Sequence, residues 1–431
     1  MKKIHLLLAL LSPSFVWASE VQEWDAKFQS TYIWQQKEPF SASYSGPNSL
    51  GTAREDSFSF TTTAFLGYRP WENGEIYLNP EIAAGHPLSN LEGLGGFTNG
   101  EMQKSAGTVP NLYVARLFLR QTWGVGGDDV SIESGQNQLA GVTESNRVVL
   151  TVGNLAVNDI FDASAYAHDP RTQFLNWSFL ANGAYDFAAN ARGYTWGAAI
   201  EDYHNNWTWR IGRFLLPKQP NQEALDPHVF QHYGDQLELE HRHQLEGKQG
   251  TARLLVFHDR AVLARFSDAM NSANGGVPDI TQVRIREQDK YGYGINLEQT
   301  LADNVGGFAR AMLSDGKSET DAFTEIDQSF SLGAEFKGAL WAHPSDTFGL
   351  AFAENQLSHD RRNYLAAGGI SFFLGDGALN YKPEQIVEGY YTWGFAQHYW
   401  VSLDAQHISN PGYNASRGPL YVAAIRLHDE F

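Results

Sequence analysis

Residues 420–431 read LYVAAIRLHDEF. Taken alternately, one face carries Phe431, Asp429, Leu427, Ile425, Ala423 and Tyr421; the other carries Glu430, His428, Arg426, Ala424 and Val422. Apart from Asp429 the first face is apolar, and the second begins polar. The period is two, so the segment reads as a β-strand. Chain ends fray when nothing ties them down, so a strand in this position predicts pairing on both edges, and therefore a closed sheet.

The same alternation recurs upstream. In 24–35, Trp24, Ala26, Phe28, Ser30, Tyr32 and Trp34 oppose Asp25, Lys27, Gln29, Thr31, Ile33 and Gln35. In 57–69, Phe58, Phe60, Ala64, Leu66 and Tyr68 share a face with Thr62, against a face of Ser and Thr. The segments 75–84, 236–245, 291–301 and 329–337 alternate likewise. A soluble sandwich also alternates, but three details favour a membrane barrel. The polar face is small or hydrogen-bonding, as a watery lumen requires. Aromatic residues stand at the ends of apolar rows, as interfacial girdles do. The segments run to about ten residues, enough to cross a bilayer at a tilt. Seventeen segments can be drawn, the weakest being the Gly- and Ala-rich 364–374. Bacterial single-chain barrels have even strand numbers, so the expected fold is an all-β, transmembrane antiparallel barrel of about sixteen strands. Short turns such as 246–250 and 303–304 are expected on one rim. Long connections such as 85–111 and 266–290 belong on the other. The stretch 159–192 has no period of two and is expected to fold inward as a loop.

Composition bounds the rest. Lys2 and Lys3, an apolar run Ile4–Leu11 and the small-residue site Val16-Trp-Ala18 have the layout of a signal peptide, too short to span a bilayer. The expected organisation is therefore a signal peptide over 1–18 and one barrel domain over 19–431, in an exported protein. Cysteine is absent, so no disulfide supports the fold. The net charge of −18 excludes the basic footprint of a nucleic-acid binder. Past the signal no apolar run reaches transmembrane-helix length.

Few residues suggest chemistry. His241 and His243 share a strand face, but no third ligand accompanies them, so no metal is assigned. Gly93-Leu-Gly-Gly and Gly124-Val-Gly-Gly-Asp-Asp lack the following helix of a phosphate loop and read as turns. Asp159 and Asp162 have the spacing of a possible carboxylate dyad, but pairs arise by chance among 49 acids. No nucleophile and base can be named together, no cofactor is called for, and the chain is not expected to be an enzyme. In 112–123, LYVARLFLRQTW, the row Tyr113, Ala115, Leu117, Leu119 and Trp123 is expected to face lipid, which turns Arg116 and Arg120 inward, about 13 Å apart. Two roles are open to them: pairing with wall carboxylates, or presenting planar donors to solutes.

The stretches GEIYLNPE (74–81), ARLFLRQTWG (115–124), NDIFDASAYAHDPRTQFLNW (158–177), PEQIVEGYYTW (383–393) and LDAQHISNPGYNASRGP (403–419) give the chain its resemblance to the carbohydrate-selective porins of the OprB family. The resemblance implies a sixteen-stranded barrel in the outer membrane of a Gram-negative bacterium, with inward-folded loops and a basic constriction that passes neutral sugars by diffusion. It makes Arg116 and Arg120 candidates for the constriction, with Glu388, Asp404 and Gln406 as hydrogen-bonding partners in the lumen. Carbohydrate, outer-membrane lipid and lipopolysaccharide are the implied partners; monomer and trimer both stay open. The competing readings are a barrel enzyme and a polysaccharide-export channel.

Overall fold

The computed structural model describes residues 21–323 and 325–431; the expected signal peptide over 1–18 lies outside them. Eight strands form the first half of the wall: β1 (Trp24–Lys37), β2 (Glu55–Trp71), β3 (Gly74–His86), β4 (Asn111–Ile132), β5 (Gly141–Leu155), β6 (Thr195–His204), β7 (Trp207–Phe214) and β8 (Tyr233–Leu245). The second half is β9 (Lys248–Val262), β10 (Glu287–Ala302), β11 (Val305–Ser314), β12 (Gln328–Lys337), β13 (Thr347–Gln356), β14 (Glu384–Phe395), β15 (Tyr399–Ser409) and β16 (Leu420–Glu430). Each strand pairs antiparallel with its chain neighbours, and β16 returns to β1, closing a sixteen-stranded barrel. Phe431 extends the seam: its N–H and carbonyl exchange hydrogen bonds of 2.8 Å with those of Phe28. In lipid a backbone group without a partner costs several kcal/mol, so closure satisfies what an open edge could not.

The predicted faces hold along most of the wall. Trp24, Phe28 and Tyr32 point outward, while Gln29, Thr31 and Gln35 are buried inside. On β16 Tyr421, Ile425 and Leu427 are outside, and Val422, Arg426 and His428 are inside. Among the described residues no helix is long and apolar enough to cross a membrane.

The rims differ as expected. One carries the tight connections 72–73, 205–206, 246–247 and 303–304, where Asn73, Asn205, Glu246 and Asn304 adopt φ of 57°, 53°, 51° and 65°, the left-handed conformation that two-residue hairpins demand. The other carries the long segments 38–54, 87–110, 156–194, 215–232, 263–286 and 357–383. The weak candidate 364–374 is no strand. Its first three residues end a helix, His359–Ala366, whose first turn is capped by the Ser358 side chain accepting from the Arg361 N–H.

Two expectations fail on β4. The predicted lipid-facing row breaks between Ala115 and Leu117, because Asn79 pairs with Arg116 while Pro80 pairs with Val114, leaving Ala115 as a β-bulge. Pro80 has no N–H to offer the ladder, and a bulge shifts the alternation by one residue. Tyr113 therefore faces the lumen, Ala115 is buried, and Leu112 and Val114 face out. The Gly124–Asp129 run is not a turn either; it lies within β4, where the register with β5 slips twice.

Candidate functional site

The lumen is organised by the segment 156–194. Its aromatic side chains Phe161, Phe174, Trp177 and Phe179 are at most 1% exposed, so the segment brings its own apolar core into a polar barrel. Phe174 packs on Phe179 and, edge-on, on Tyr390 of β14, with centroids 5.2 and 4.9 Å away. Trp177 packs on Phe97 of the 87–110 loop and takes its carbonyl at 2.9 Å.

An irregular backbone inside a barrel has polar groups that need partners, and inward side chains of β8–β16 supply them. The Glu238 carboxylate accepts from the Asp162 N–H at 2.7 Å, and Glu298 from Ala165 at 2.8 Å. Glu388 accepts from the N–H groups of Leu175 and Asn176. Gln406 accepts from the Asn176 amide at 3.0 Å and donates to the Thr98 carbonyl at 2.8 Å. Arg310 donates to the Phe179 carbonyl at 2.8 Å. Arg426 donates to the carbonyls of Pro170, Thr172 and Gln173 at 2.8, 3.1 and 2.6 Å. Across the lumen Arg171 is clamped between Glu81 of β3 and Glu101, at 3.0 and 2.9 Å. Glu81 also accepts from Thr63, Tyr113 and Tyr194.

What the segment leaves open is a cavity of about 590 Å³ along β2–β7. Eight Lys and Arg residues line it against five Asp and Glu, a cationic excess inside a chain of net charge −18. Arg116 stands at mid-wall, bound in a fork by the Asp159 carboxylate at 2.7 and 2.6 Å, with its plane 5.2 Å from the Tyr194 ring. Arg120 lies nearer the short-turn rim, where it donates to the Asn137 carbonyl at 2.8 Å and stands 5.3 and 5.4 Å from the rings of Tyr77 and Phe118. Deeper in the wall, Arg210 is shared by Glu201, Glu238 and Glu240 at 2.9, 2.7 and 3.0 Å. A guanidinium has five donors, and the Asp159 fork takes only two of those on Arg116. Within the loop, enclosure by protein pushes the Asp159 carboxyl up, but the neighbouring Arg116 guanidinium outweighs it and holds the group below the usual carboxylate range. Burial pushes the His168 imidazole down, which keeps it neutral.

The five residues singled out in the sequence therefore separate. Arg116 and Arg120 line the cavity. Glu388, Asp404 and Gln406 face inward but stand behind the inserted segment, away from the cavity, and Glu388 and Gln406 are spent on holding it. Alternation alone could have found Arg147 and Arg210, which occupy inward positions of β5 and β7. Arg171 and Arg192, which also line the cavity, sit in aperiodic sequence that gave no signal. His241 and His243 lie on the outer face, rings 6.0 Å apart, with His241 packed on Trp207. Among the described residues no group of three or more His, Cys, Asp or Glu side chains is placed to hold a metal ion. Asp159 and Asp162 do not form a working pair: Asp159 is held by Arg116, and Asp162 accepts from Asn182.

Comparison with known proteins agrees with this architecture. The high-pH structure of Pseudomonas putida OprB superposes with a TM-score of 0.71 at 15% identity, covering 95% of this chain and 94% of that one. The low-pH structure of the same protein gives 0.52 at 12% identity, covering 95% and 93%. The outer membrane channel DcaP of Acinetobacter baumannii gives 0.53 at 9% identity, covering 96% and 99%. At such identities the likeness speaks for the fold. No protein of curated function matches the chain. The family described as carbohydrate-selective porin, OprB family, matches residues 56–431, and the chain thus belongs to that family as an outer-membrane sugar porin.

Proposed function

We propose that the channel admits neutral mono- and small oligosaccharides by diffusion into the periplasm, with Arg116 and Arg120 as the polar side of the constriction. The observation that carries this is the cavity beside the inserted segment. Its 590 Å³ fall within the range of about 300–1,000 Å³ usual for small-molecule sites. A sugar presents an apolar ring face and a rim of hydroxyls. The rings of Phe118, Tyr194 and Tyr203 contribute apolar carbon to the lining, and the guanidinium planes stacked near them offer donors to the hydroxyls. Because the arginines are already partnered by acids or carbonyls, a passing hydroxyl meets a shared donor, which suits a site that must release its ligand. In this reading Glu388 and Gln406 serve the channel indirectly, by fixing the segment that narrows it, and Asp404 supports them by accepting from the Gln406 amide at 3.3 Å. The chain is exported by a signal peptide over residues 1–18, its outer aromatic rows meet lipid and lipopolysaccharide, and it catalyses no reaction.

Liposome swelling tests the proposal. Reconstituted protein is expected to admit monosaccharides faster than oligosaccharides of several units. Permeation no more size-dependent than that of empty liposomes would overturn it. Release of sugar from a glycoside by the purified protein would favour the enzyme reading instead.

A further inference from the structure

Past Gln121, the last β4 residue paired with β3, β4 runs on to Ile132 paired with β5 alone. β5 in turn meets β6 only from Arg147 onward. The two strands thus continue as a free ribbon beyond the rim of short turns, the periplasmic rim of a bacterial barrel. Two register slips, at Gly124/Gly126 and Gly126/Asp129, bend the ribbon. Gly126 and Gly127 supply φ of 114° and 93° there, a backbone conformation that side chains resist.

The bend returns the connecting turn 133–140 to the barrel mouth. The Ser134 hydroxyl donates to the Asp25 carboxylate at 2.6 Å and the Gln136 amide to the Gln29 side chain at 2.8 Å, both on β1. The Asn79 amide of β3 donates to the Asn137 side chain at 2.8 Å, and Arg120 holds the Asn137 carbonyl. Leu139 is 2% exposed beneath Tyr77, whose hydroxyl accepts its N–H at 3.0 Å. A turn that belongs to β4 and β5 therefore folds inside the rim, along β3 and as far as β1, and Gln136, Asn137 and Gln138 line the same cavity as Arg116.

We infer that this turn is a second constriction, at the periplasmic exit, where the amides of Gln136, Asn137 and Gln138 meet neutral, hydroxyl-rich solutes and limit the size of what leaves. This rests on the reading of the cavity as a sugar path. An amide both donates and accepts, as a hydroxyl does, and carries no charge. The exit thus adds uncharged amides, flanked by Arg120 and by the Asp25 and Glu430 carboxylates, to the cationic level at Arg116, and neither level needs to bind tightly.

The chain has no cysteine, so single thiols can be placed cleanly. In Gln136→Cys, reaction with a bulky maleimide is expected to lower single-channel conductance severalfold and slow monosaccharide-driven swelling. The same reagent on Asp303→Cys, in a two-residue turn of the same rim, should change neither. Labelled Gln136→Cys that conducts like the unlabelled protein would overturn the inference. As a second arm, replacing residues 134–138 by Asn-Gly should raise conductance and admit longer oligosaccharides; an unchanged size limit in heat-modifiable, folded protein would count against it. If wild-type protein conducts ions but admits no sugar, the sugar reading fails, while the effect of the label on conductance still decides whether the turn occupies the exit.

Discussion

The wall of β8–β16 and the wall of β2–β7 present the same kinds of side chain to the lumen, yet one is sealed and the other is open. Along the sealed wall, Glu238, Glu298, Arg310, Glu388 and Arg426 each find a backbone N–H or carbonyl of the inserted segment. Along the open wall, Arg116 and Arg210 find carboxylates, which satisfy charge but leave guanidinium edges facing the cavity. Inward polarity therefore does not by itself make a pore. What matters is whether the partner of each polar group is a backbone, which fills space, or another side chain, which leaves it.

Four experiments would break or sharpen this contrast. The largest effect is expected from removing Phe431, which deletes the two hydrogen bonds to Phe28 at the seam where both walls meet. The amount of heat-modifiable barrel in the outer membrane should fall strongly while export to the periplasm continues; equal yields after fractionation would make the residue incidental. Next is Arg426→Leu on the sealed wall. It leaves the carbonyls of Pro170, Thr172 and Gln173 without this donor, at about 1–3 kcal/mol for a buried group left unsatisfied such as Pro170, and should lower the denaturant midpoint of the folded form while raising conductance as the segment loosens. If the midpoint held, the segment would be kept in place by its aromatic core alone.

On the open wall, replacing Arg116 and Arg120 together by Ala should raise ion conductance and lower sugar preference, with a smaller fall in midpoint than Arg426→Leu gives, from loss of the Asp159 clamp and of the Arg120 contacts with Tyr77 and Phe118. Unchanged preference would make them wall residues only. The smallest effect is expected from pH. The folded pKa of Asp159 lies below its unfolded value, so the clamp on Arg116 contributes fully above the unfolded carboxylate range and is lost as pH falls through the folded pKa. Conductance should be level near neutrality and change only in acid, and Asp159→Asn should remove that acid transition.

The barrel was legible because a strand that faces lipid on one side and water on the other must alternate, and 24–35 and 420–431 do so almost without exception. The local errors have a common physical origin. Alternation within 112–123 points Tyr113 and Ala115 outward because Pro80, which breaks their ladder, sits on a different strand, so the slip is invisible within that segment. The Gly124–Asp129 run carries the composition of a turn but bends a ribbon, since the partner that keeps it a strand is β5. Arg116 and Arg120 could be found from their period. The wiring of Glu388 and Gln406 to residues 175–176 could not, as it joins positions more than two hundred residues apart.

That wiring has a consequence for the order in which the molecule can form. The segment 156–194 lies in the first half of the chain, but its anchors Glu388, Gln406 and Arg426 come from β14, β15 and β16. Such long-range contacts reward the chain only after the intervening loop has been closed. The segment cannot complete its seat until the last strands have been laid down and zipped to β1. Barrel closure and pore narrowing are thus successive stages of a single assembly event, and an unfinished barrel is also an ungated one.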